Sequence, residues 1–572
     1  MKVLLAAINA KYIHSNLAIH SIKAYTNMYG YSVETVEYTI NQPVDELLGD
    51  LYKRQPDVLC FSCYLWNISY VRRLLLELPK ILPGVRLWAG GPEVSYDAPQ
   101  MLQEYTQLEG ILCGEGEETF LELMRYFQDE IPDKREIRGI VYREEEGGIV
   151  ETPKRPAMDL NNIPFAYREL SEFENKILYY ESSRGCPFSC SYCLSSVDRC
   201  LRFRDISRVR EELQFFIDHR VPQVKFVDRT FNCRHDHAMA IWQYLSEHDK
   251  GATNFHFEIA ADLLTEEEMD IISRMRPGLI QLEIGVQSTN ARTIKEIHRT
   301  MHFDLVQKAV EQIKGKGNVH QHLDLIAGLP WEDKESFRRS FNAVYRLKPE
   351  QLQLGFLKVL KGSRMYEKAQ EYQLLYQSKP PYEVLSTKWL SYGDILDLKA
   401  IEDMVEVYYN SGQFPNTIGL LESAFCDAFS MYEALAIYYA KEGLDGIQHS
   451  RLARFEILFD FIREADPDNL ESYRQKLLLD LYLRENAKRR PCFARDIQIS
   501  KEELRDFYEQ EAKRFLYLKG YEEYDSRQLR KMTHLERIDG KLLLFDYRNR
   551  DPLNRQAKTY EVTYEETNER DS

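Results

Sequence analysis

The chain has 572 residues, of which 44% are hydrophobic, and a formal net charge of -16. That length exceeds one ordinary domain and provides apolar surface for two or three separate cores. The acidic balance makes nonspecific binding to nucleic acid phosphates an unexpected function, although Lys488-Arg489-Arg490 is a short basic run. Because no apolar window is long enough to cross a bilayer, no membrane partner is expected. Met1 to Ala10 is interrupted by Asn9, is followed by Lys11 and lacks a small-residue cleavage site, so it reads as a first strand rather than a signal peptide. A cytoplasmic protein is expected, with its ten cysteines mostly reduced, and clustered cysteines then point to metal or chemistry.

In chain order, the first 130 residues alternate β-type and helix-type patterns. "KVLLAAI", "YSVETVEY", "DVLCFSCY", "VRLWAGG" and "LEGILCG" are short apolar runs. Between them lie amphipathic stretches such as "NISYVRRLLLELPKIL", where Ile68, Val71, Leu74, Leu75 and Leu78 share a face. Five strand–helix repeats predict a doubly wound parallel sheet covered on both sides, with ligands bound where the strands end. The loops there read "SCYLWN", "GGPEVS" and "GEGEET". Each loop's glycines taken alone are accounted for by tight turns. Residues 131–175 lack sustained periodicity and contain Pro132, Pro153, Pro156 and Pro164, as suits a linker.

A second alternating region covers residues 176–376, with strand patterns "KILYYESS", "QVKFVDRT", "FHFEIAAD", "LIQLEIGVQS", "VHQHLDLIAGLP" and "LQLGFLKVL". Six strand–helix units predict a partly closed parallel barrel, smaller than the eight-unit form. Thr265 followed by Glu268 marks a capping box at one helix start. Residues 377–572 turn helix-rich and Tyr-rich, and Ile401, Met404, Val405 and Tyr408 at helical spacing read as core rather than as a cofactor site. "KLLLFDY" near residue 541 is β-like, and the acidic end from Glu565 is expected to fray.

The densest chemistry is "SSRGCPFSCSYC", residues 182–193, which places Cys186, Cys190 and Cys193 directly after the first strand of the second region. Zinc normally takes four ligands in paired short spacings, whereas this set offers three, with Cys200 the nearest fourth. Three thiolates on an iron–sulfur cubane leave one iron open to an exogenous ligand, which is a catalytic arrangement. Coincidental cysteines in a strand-end loop are the bland alternative, and their position where a barrel site lies weighs against it. Cys60, Cys63 and Cys113 read as small core residues, while Cys200 and Cys233 fall near the site in sequence. His235 and His237 alternate in a polar stretch, the pattern of solvated surface, and His320 and His322 alternate to one face of a strand.

The three-cysteine spacing, with Tyr192 before the last cysteine, resembles the signature of the radical S-adenosylmethionine (SAM) enzymes, and the resemblance runs to about residue 375. It implies a [4Fe-4S] cluster on Cys186, Cys190 and Cys193 whose open iron binds SAM, and reductive cleavage to a 5′-deoxyadenosyl radical. By position, "FVDRTF" is similar to the family's loop for the SAM amino group, implicating Asp228 and Arg229. "EIGVQS" resembles the ribose and carboxylate contact, implicating Glu283, Gln287 and Ser288, and "DLIAGLPWED" the adenine side, with Ile326 and Gly328. Tyr192 joins the implied SAM contacts. No catalytic side chain is assigned.

The first 130 residues resemble the cobalamin-binding domain that one large branch of this family carries. Ordinary cobalamin domains show an Asp-x-His-x-x-Gly loop, a Ser-x-Leu and a Gly-Gly. Here the first is missing from "NAKYIHSN", Ser62 matches with Tyr64 in place of leucine, and Gly90-Gly91 matches. The implied cobalamin contacts are Ser62, Tyr64, Gly90, Gly91, Pro92, Gly114, Glu115 and Gly116. His14 sits in the loop of the missing mark, where a hydrogen-bonding or packing role is expected over cobalt ligation. The resemblance implies a cobalamin-dependent radical SAM methyltransferase acting on an unactivated carbon of an unidentified substrate, with an electron donor such as flavodoxin or ferredoxin. Rearrangement or cyclisation without methyl transfer, and a noncatalytic cobalamin and iron–sulfur sensor, are the alternatives.

Overall fold

The computed structural model describes residues 1–197, 200–494 and 499–563. The acidic end from Glu565 lies outside the described residues. Two compact units divide the chain. The first comprises Met1–Val319, Ile326–Asp333 and Gly355–Tyr392, and the second His320–Leu325, Lys334–Leu354 and Gly393–Ser572.

The first unit opens with β1 (Val3–Asn9), β2 (Glu34–Thr39), β3 (Val58–Ser62), β4 (Arg86–Gly90) and β5 (Leu108–Leu112), parallel in the order β2-β1-β3-β4-β5. Every residue of β1 is buried, as a central strand covered on both faces requires. The helix Ile68–Ile81 turns the predicted stripe of Ile68, Val71, Leu74, Leu75 and Leu78 into the core. Strand order reverses between β1 and β3, so the loops there diverge and open a crevice. Residues within the expected linker extend this sheet: β6 (Ile140–Arg143) and β7 (Ile149–Glu151) add an antiparallel hairpin beside β5. Four and three residues are too few to display alternation, which is why the hairpin escaped the sequence pattern.

The second region of this unit holds β8 (Leu178–Tyr180), β9 (Ser183–Arg184), β10 (Arg202–Phe203), β11 (Gln223–Phe226), β12 (Asn254–Ile259) and β13 (Ile280–Gln287). β8, β11, β12 and β13 pair in parallel in that order. Phe226, Phe257, Phe231 and Trp242 interlock on one face, beneath the helix His235–His248. Period-two alternation sends Tyr179, Lys225, His256 and Glu283 to the other face. Thr265 and Glu268 make both bonds of the predicted capping box. β14 (His320–Ala327) and β15 (Gln351–Phe356) stand at the fifth and sixth expected strands, and each is divided between the two units.

The second unit is mainly helical, with long helices at Ala428–Lys441, Arg451–Ala465, Leu470–Arg484 and Lys501–Arg514. Ile401, Met404, Val405 and Tyr408 are buried, as a core stripe should be. An antiparallel sheet of Thr533–Ile538, Lys541–Arg550 and Ala557–Val562 includes the predicted β-like run. Among the described residues no helix is long and apolar enough to cross a membrane.

Candidate active site

The cysteine segment is held at its base by a short ladder. β9 and β10 pair antiparallel with Arg184 opposite Arg202, so the chain leaves and re-enters at one place. Gly185 has φ +99°, and a Cβ there would lie 2.6 Å from the Cys200 carbonyl oxygen. Only glycine meets both conditions. Farther along, the Ser191 N–H donates to the Ile297 carbonyl at 2.9 Å, and the Ser191 carbonyl accepts from the Met365 N–H at 2.8 Å. Cys186 and Cys190 are buried, Cys193 is half-buried, and all three are free thiols.

Burial pushes the Cys190 thiol up, and the guanidinium of Arg299 opposes that shift. Arg299 Nη1 is 3.8 Å from Cys190 Sγ and 3.4 Å from the Tyr192 hydroxyl, and its Nη2 donates to the Gly285 carbonyl. Three thiols outside any disulfide, with a fixed cation against one of them, fit a thiolate-bound group of net negative charge. Arg299 carries no mark in the sequence, because the helix end that presents it lies far along the chain from the cysteines.

Asp228 follows β11 and is buried. Its Oδ2 accepts from the Ser182 N–H at 3.0 Å, and its Oδ1 accepts from the Ser182 and Ser183 hydroxyls, each at 2.6 Å. His237 Nε2 lies 3.1 Å from Ser182 Oγ, so an imidazole N–H donated there completes a chain from His237 through Ser182 to Asp228. Burial raises Asp228 to about 6 against those hydrogen bonds and lowers His237 to about 4. His237 is therefore not the solvated surface residue its polar neighbours implied. The helix His235–His248 starts there and turns it under the strand ends. Cys233 is half-buried, its thiol pushed to about 11 by burial and by Cys186, whereas Cys200 is exposed.

Glu283 accepts from Lys225 Nζ at 3.0 Å and lies 3.0 Å from His256 Nε2. Burial works against its charge, but His256 and Lys225 outweigh that and hold it at about 2. Lys225 and His256 were legible only as polar residues between buried apolar ones in "VKF" and "FHF". Gln287 has φ +72°, and its Oε1 is buried without a hydrogen-bond partner among the described residues. The Ser288 hydroxyl donates to Glu332 Oε1 at 2.7 Å. Gly328 has φ +90°, where a Cβ would lie 2.7 Å from Val384 Cγ1, and Ile326 is half-buried two residues earlier.

A cavity of about 730 Å³ gathers the C-terminal ends of β1, β3, β4, β5 and β8. Among the expected cobalamin contacts, Tyr64, Pro92, Gly114, Glu115 and Gly116 line it, and the exposed Arg229 reaches it from the end of β11. Ser62, Gly90 and Gly91, at the ends of β3 and β4, are not among its lining residues. A Cβ on Gly91, at φ +110°, would meet the Cys63 carbonyl oxygen at 2.4 Å, so the missing side chain serves strand-end packing. Gly114 differs: at φ +85° its Cβ position is open space, which leaves backbone approachable by a bound molecule. Tyr64 and Trp66 stack with ring centroids 4.6 Å apart and planes 6° from parallel, giving the cavity a flat aromatic wall. His14 also lines it, with Nδ1 2.7 Å from the Tyr179 hydroxyl, and burial, Lys11 and Lys225 lower its pKa. An open glycine backbone and a flat apolar wall fit a large planar cofactor.

Matches to known proteins fall along the same regions. The family model described as B12 binding domain matches residues 3–124, the Radical SAM superfamily model residues 180–344, and a model described as a protein of unknown function (DUF4080) residues 370–559. The chain is 25% identical over 321 residues to the cobalamin-dependent radical SAM methyltransferase TokK of Streptomyces tokunonensis, covering 53% of this chain and 46% of that protein. It is 23% identical over 328 residues to an anaerobic magnesium-protoporphyrin IX monomethyl ester cyclase of Rubrivivax gelatinosus, covering 54% and 59%. It thus spans about half the length of the curated relatives it matches. Its fold is similar to that of the cobalamin-dependent SAM radical enzyme OxsB, solved with aqua-cobalamin and SAM bound, at a TM-score of 0.58 and 15% identity over 84% of this chain and 79% of that one. By these matches, residues 3–124 are similar to the B12 binding domain and residues 180–344 to the radical SAM superfamily, in that order along the chain.

Proposed function

We propose that the chain is a cobalamin-dependent radical SAM methyltransferase that holds a [4Fe-4S] cluster on Cys186, Cys190 and Cys193 and methylates an unactivated carbon. One observation carries the reading. The cavity at the strand ends of the first sheet is also lined by Gly185, Leu194 and Ser195, on both sides of the three cysteines, so one interior serves both regions. When bound, the cluster supplies the electron that cleaves SAM to a 5′-deoxyadenosyl radical, and cobalamin supplies the methyl group.

The chain's own residues bind and orient. Asp228, tied to Ser182 and Ser183, fixes the strand end from which the cysteine loop departs. Glu283, kept ionised by His256 and Lys225, offers a carboxylate to ribose hydroxyls, and the unpaired Gln287 Oε1 a second acceptor. Tyr192, Arg229 and Ser288 complete the polar surround, and Ile326 and Gly328 the adenine side. Tyr64, Pro92, Gly114, Glu115 and Gly116 form the wall for cobalamin, with Ser62, Gly90 and Gly91 shaping the ends of β3 and β4. Electrons come from a flavodoxin or ferredoxin in the cytoplasm.

The test is anaerobic reconstitution with iron, sulfide and hydroxocobalamin, followed by SAM and a strong reductant. The expected products are 5′-deoxyadenosine and S-adenosylhomocysteine, with no 5′-deoxyadenosine from Cys190→Ala. A second reading, ring closure without methyl transfer, is favoured by the similarity to the cyclase of Rubrivivax gelatinosus. Under that reading 5′-deoxyadenosine forms without S-adenosylhomocysteine, and a sensor forms neither.

A further inference from the structure

Arg184 and Arg202 stand opposite each other in the β9–β10 ladder, at the base of the cysteine loop, and both reach carboxylates at the start of the helix Gly116–Phe127 that follows β5, while Arg184 also forks onto Glu181. Arg184 Nη2 donates to Glu117 Oε1 at 2.8 Å, and Nη1 lies 3.6 Å from Glu115 Oε2. Arg202 ion-pairs with the other oxygen of Glu115. Glu117 is buried and the other three are half-buried. Ion pairs removed from water contribute little net stability, because desolvation offsets their attraction, and their best-attested use is to fix register. Here they join two glycines of opposite character. Gly114 leaves an open backbone on the cavity rim, whereas Gly185 leaves the chain one way into the cysteine loop.

We propose that Glu115, Glu117, Arg184 and Arg202 form a collar through which a corrinoid seated at Gly114–Glu117 orders the cysteine loop, so that cobalamin and cluster favour each other's binding. The collar rests on the cobalamin reading above. Its four members act through the backbone at Gly185 and Leu201 and are positioning residues. Linkage makes the effect reciprocal: the factor by which cobalamin favours the cluster is the factor by which the cluster tightens cobalamin.

The test compares hydroxocobalamin affinity, read from the visible spectrum of the full chain, before and after anaerobic reconstitution with iron and sulfide. The cluster-loaded chain is expected to bind at least about fivefold more tightly, the low end of ordinary coupling between sites. In Arg202→Gln and Glu115→Gln that ratio is expected to fall to about one, and in Arg184→Lys, which keeps charge but loses the fork, to an intermediate value. If these variants fail to fold, hydrogen exchange in wild-type peptides from 185–197 reads the same coupling, and hydroxocobalamin should slow it by at least about fivefold. Equal affinity with and without the cluster, an unchanged ratio in the variants, or exchange indifferent to hydroxocobalamin overturns the collar and leaves the cobalamin reading intact. No binding in either form overturns both.

Discussion

Nη1 of Arg299 lies 3.8 Å from Sγ of Cys190, within reach of a hydrogen bond to a thiolate. A donor and positive charge at a cluster ligand stabilise the reduced state, which carries one more negative charge. Arg299→Gln is expected to lower the cluster's reduction potential by about 60 mV, the one-electron equivalent of a tenfold change. A potentiometric titration followed by electron paramagnetic resonance measures it, and an unchanged potential would reduce Arg299 to a packing role.

Gly185 and Gly114 should respond differently to the same substitution. Gly185→Ala adds strain of about 1–3 kcal/mol at φ +99° and a clash with the Cys200 carbonyl, so iron retained after reconstitution is expected to fall sharply. Gly114→Ala meets open space and carries only the left-handed backbone cost of about 1 kcal/mol. Its expected effect is weaker cobalamin binding, with iron content unchanged when reconstitution omits hydroxocobalamin. Equal iron loss in both variants would contradict this.

Asp228 gives a pH signature. Burial lifts its pKa to about 6, above the usual carboxylate value, so the folded chain holds this proton more tightly than the unfolded chain. The resulting stability is fully present below about pH 4 and is lost as pH rises through about 6, a change of about 3 kcal/mol. Asparagine does not titrate. The stability of wild type relative to Asp228→Asn should therefore fall across that window and level off above it, as denaturant unfolding at several pH values will test.

His14 is expected to leave cobalt alone. Its Nδ1 meets the Tyr179 hydroxyl at 2.7 Å, and the Asp and Gly that accompany a cobalt-ligating histidine are missing from its loop. His14→Ala should leave the visible spectrum of bound cobalamin unchanged and weaken its affinity by less than about tenfold, or 1.4 kcal/mol. A shift in that spectrum would assign His14 to the metal.

Much of the architecture was legible in the sequence because long strands bury on both faces and long helices on one. β1 reads as an unbroken apolar run, and the helix Ile68–Ile81 shows its buried stripe residue by residue. The cysteine loop was legible for a different reason, since its three cysteines are neighbours in sequence. Side chains brought together across the fold were not. Arg299 meets Cys190 from more than a hundred residues away, and His237 looks like surface until a helix start carries it beneath Ser182. Glu115 and Glu117 were visible in "GEGEET", but their arginine partners belong to strands of two residues, too short for any pattern to register.

The second unit is discontinuous in sequence, taking Lys334–Leu354, which begins inside the stretch matched by the Radical SAM superfamily model and runs past its end at residue 344. Arg338 in that stretch donates to Asp427 at 2.7 Å, and the Tyr345 hydroxyl to Glu422 at 2.6 Å. A cut near residue 377 would strand both donors from their acceptors. Exchange of the tail among relatives, whether by recombination or by design, must therefore carry this inner stretch along with it, and the two parts are bound to evolve as one inheritance.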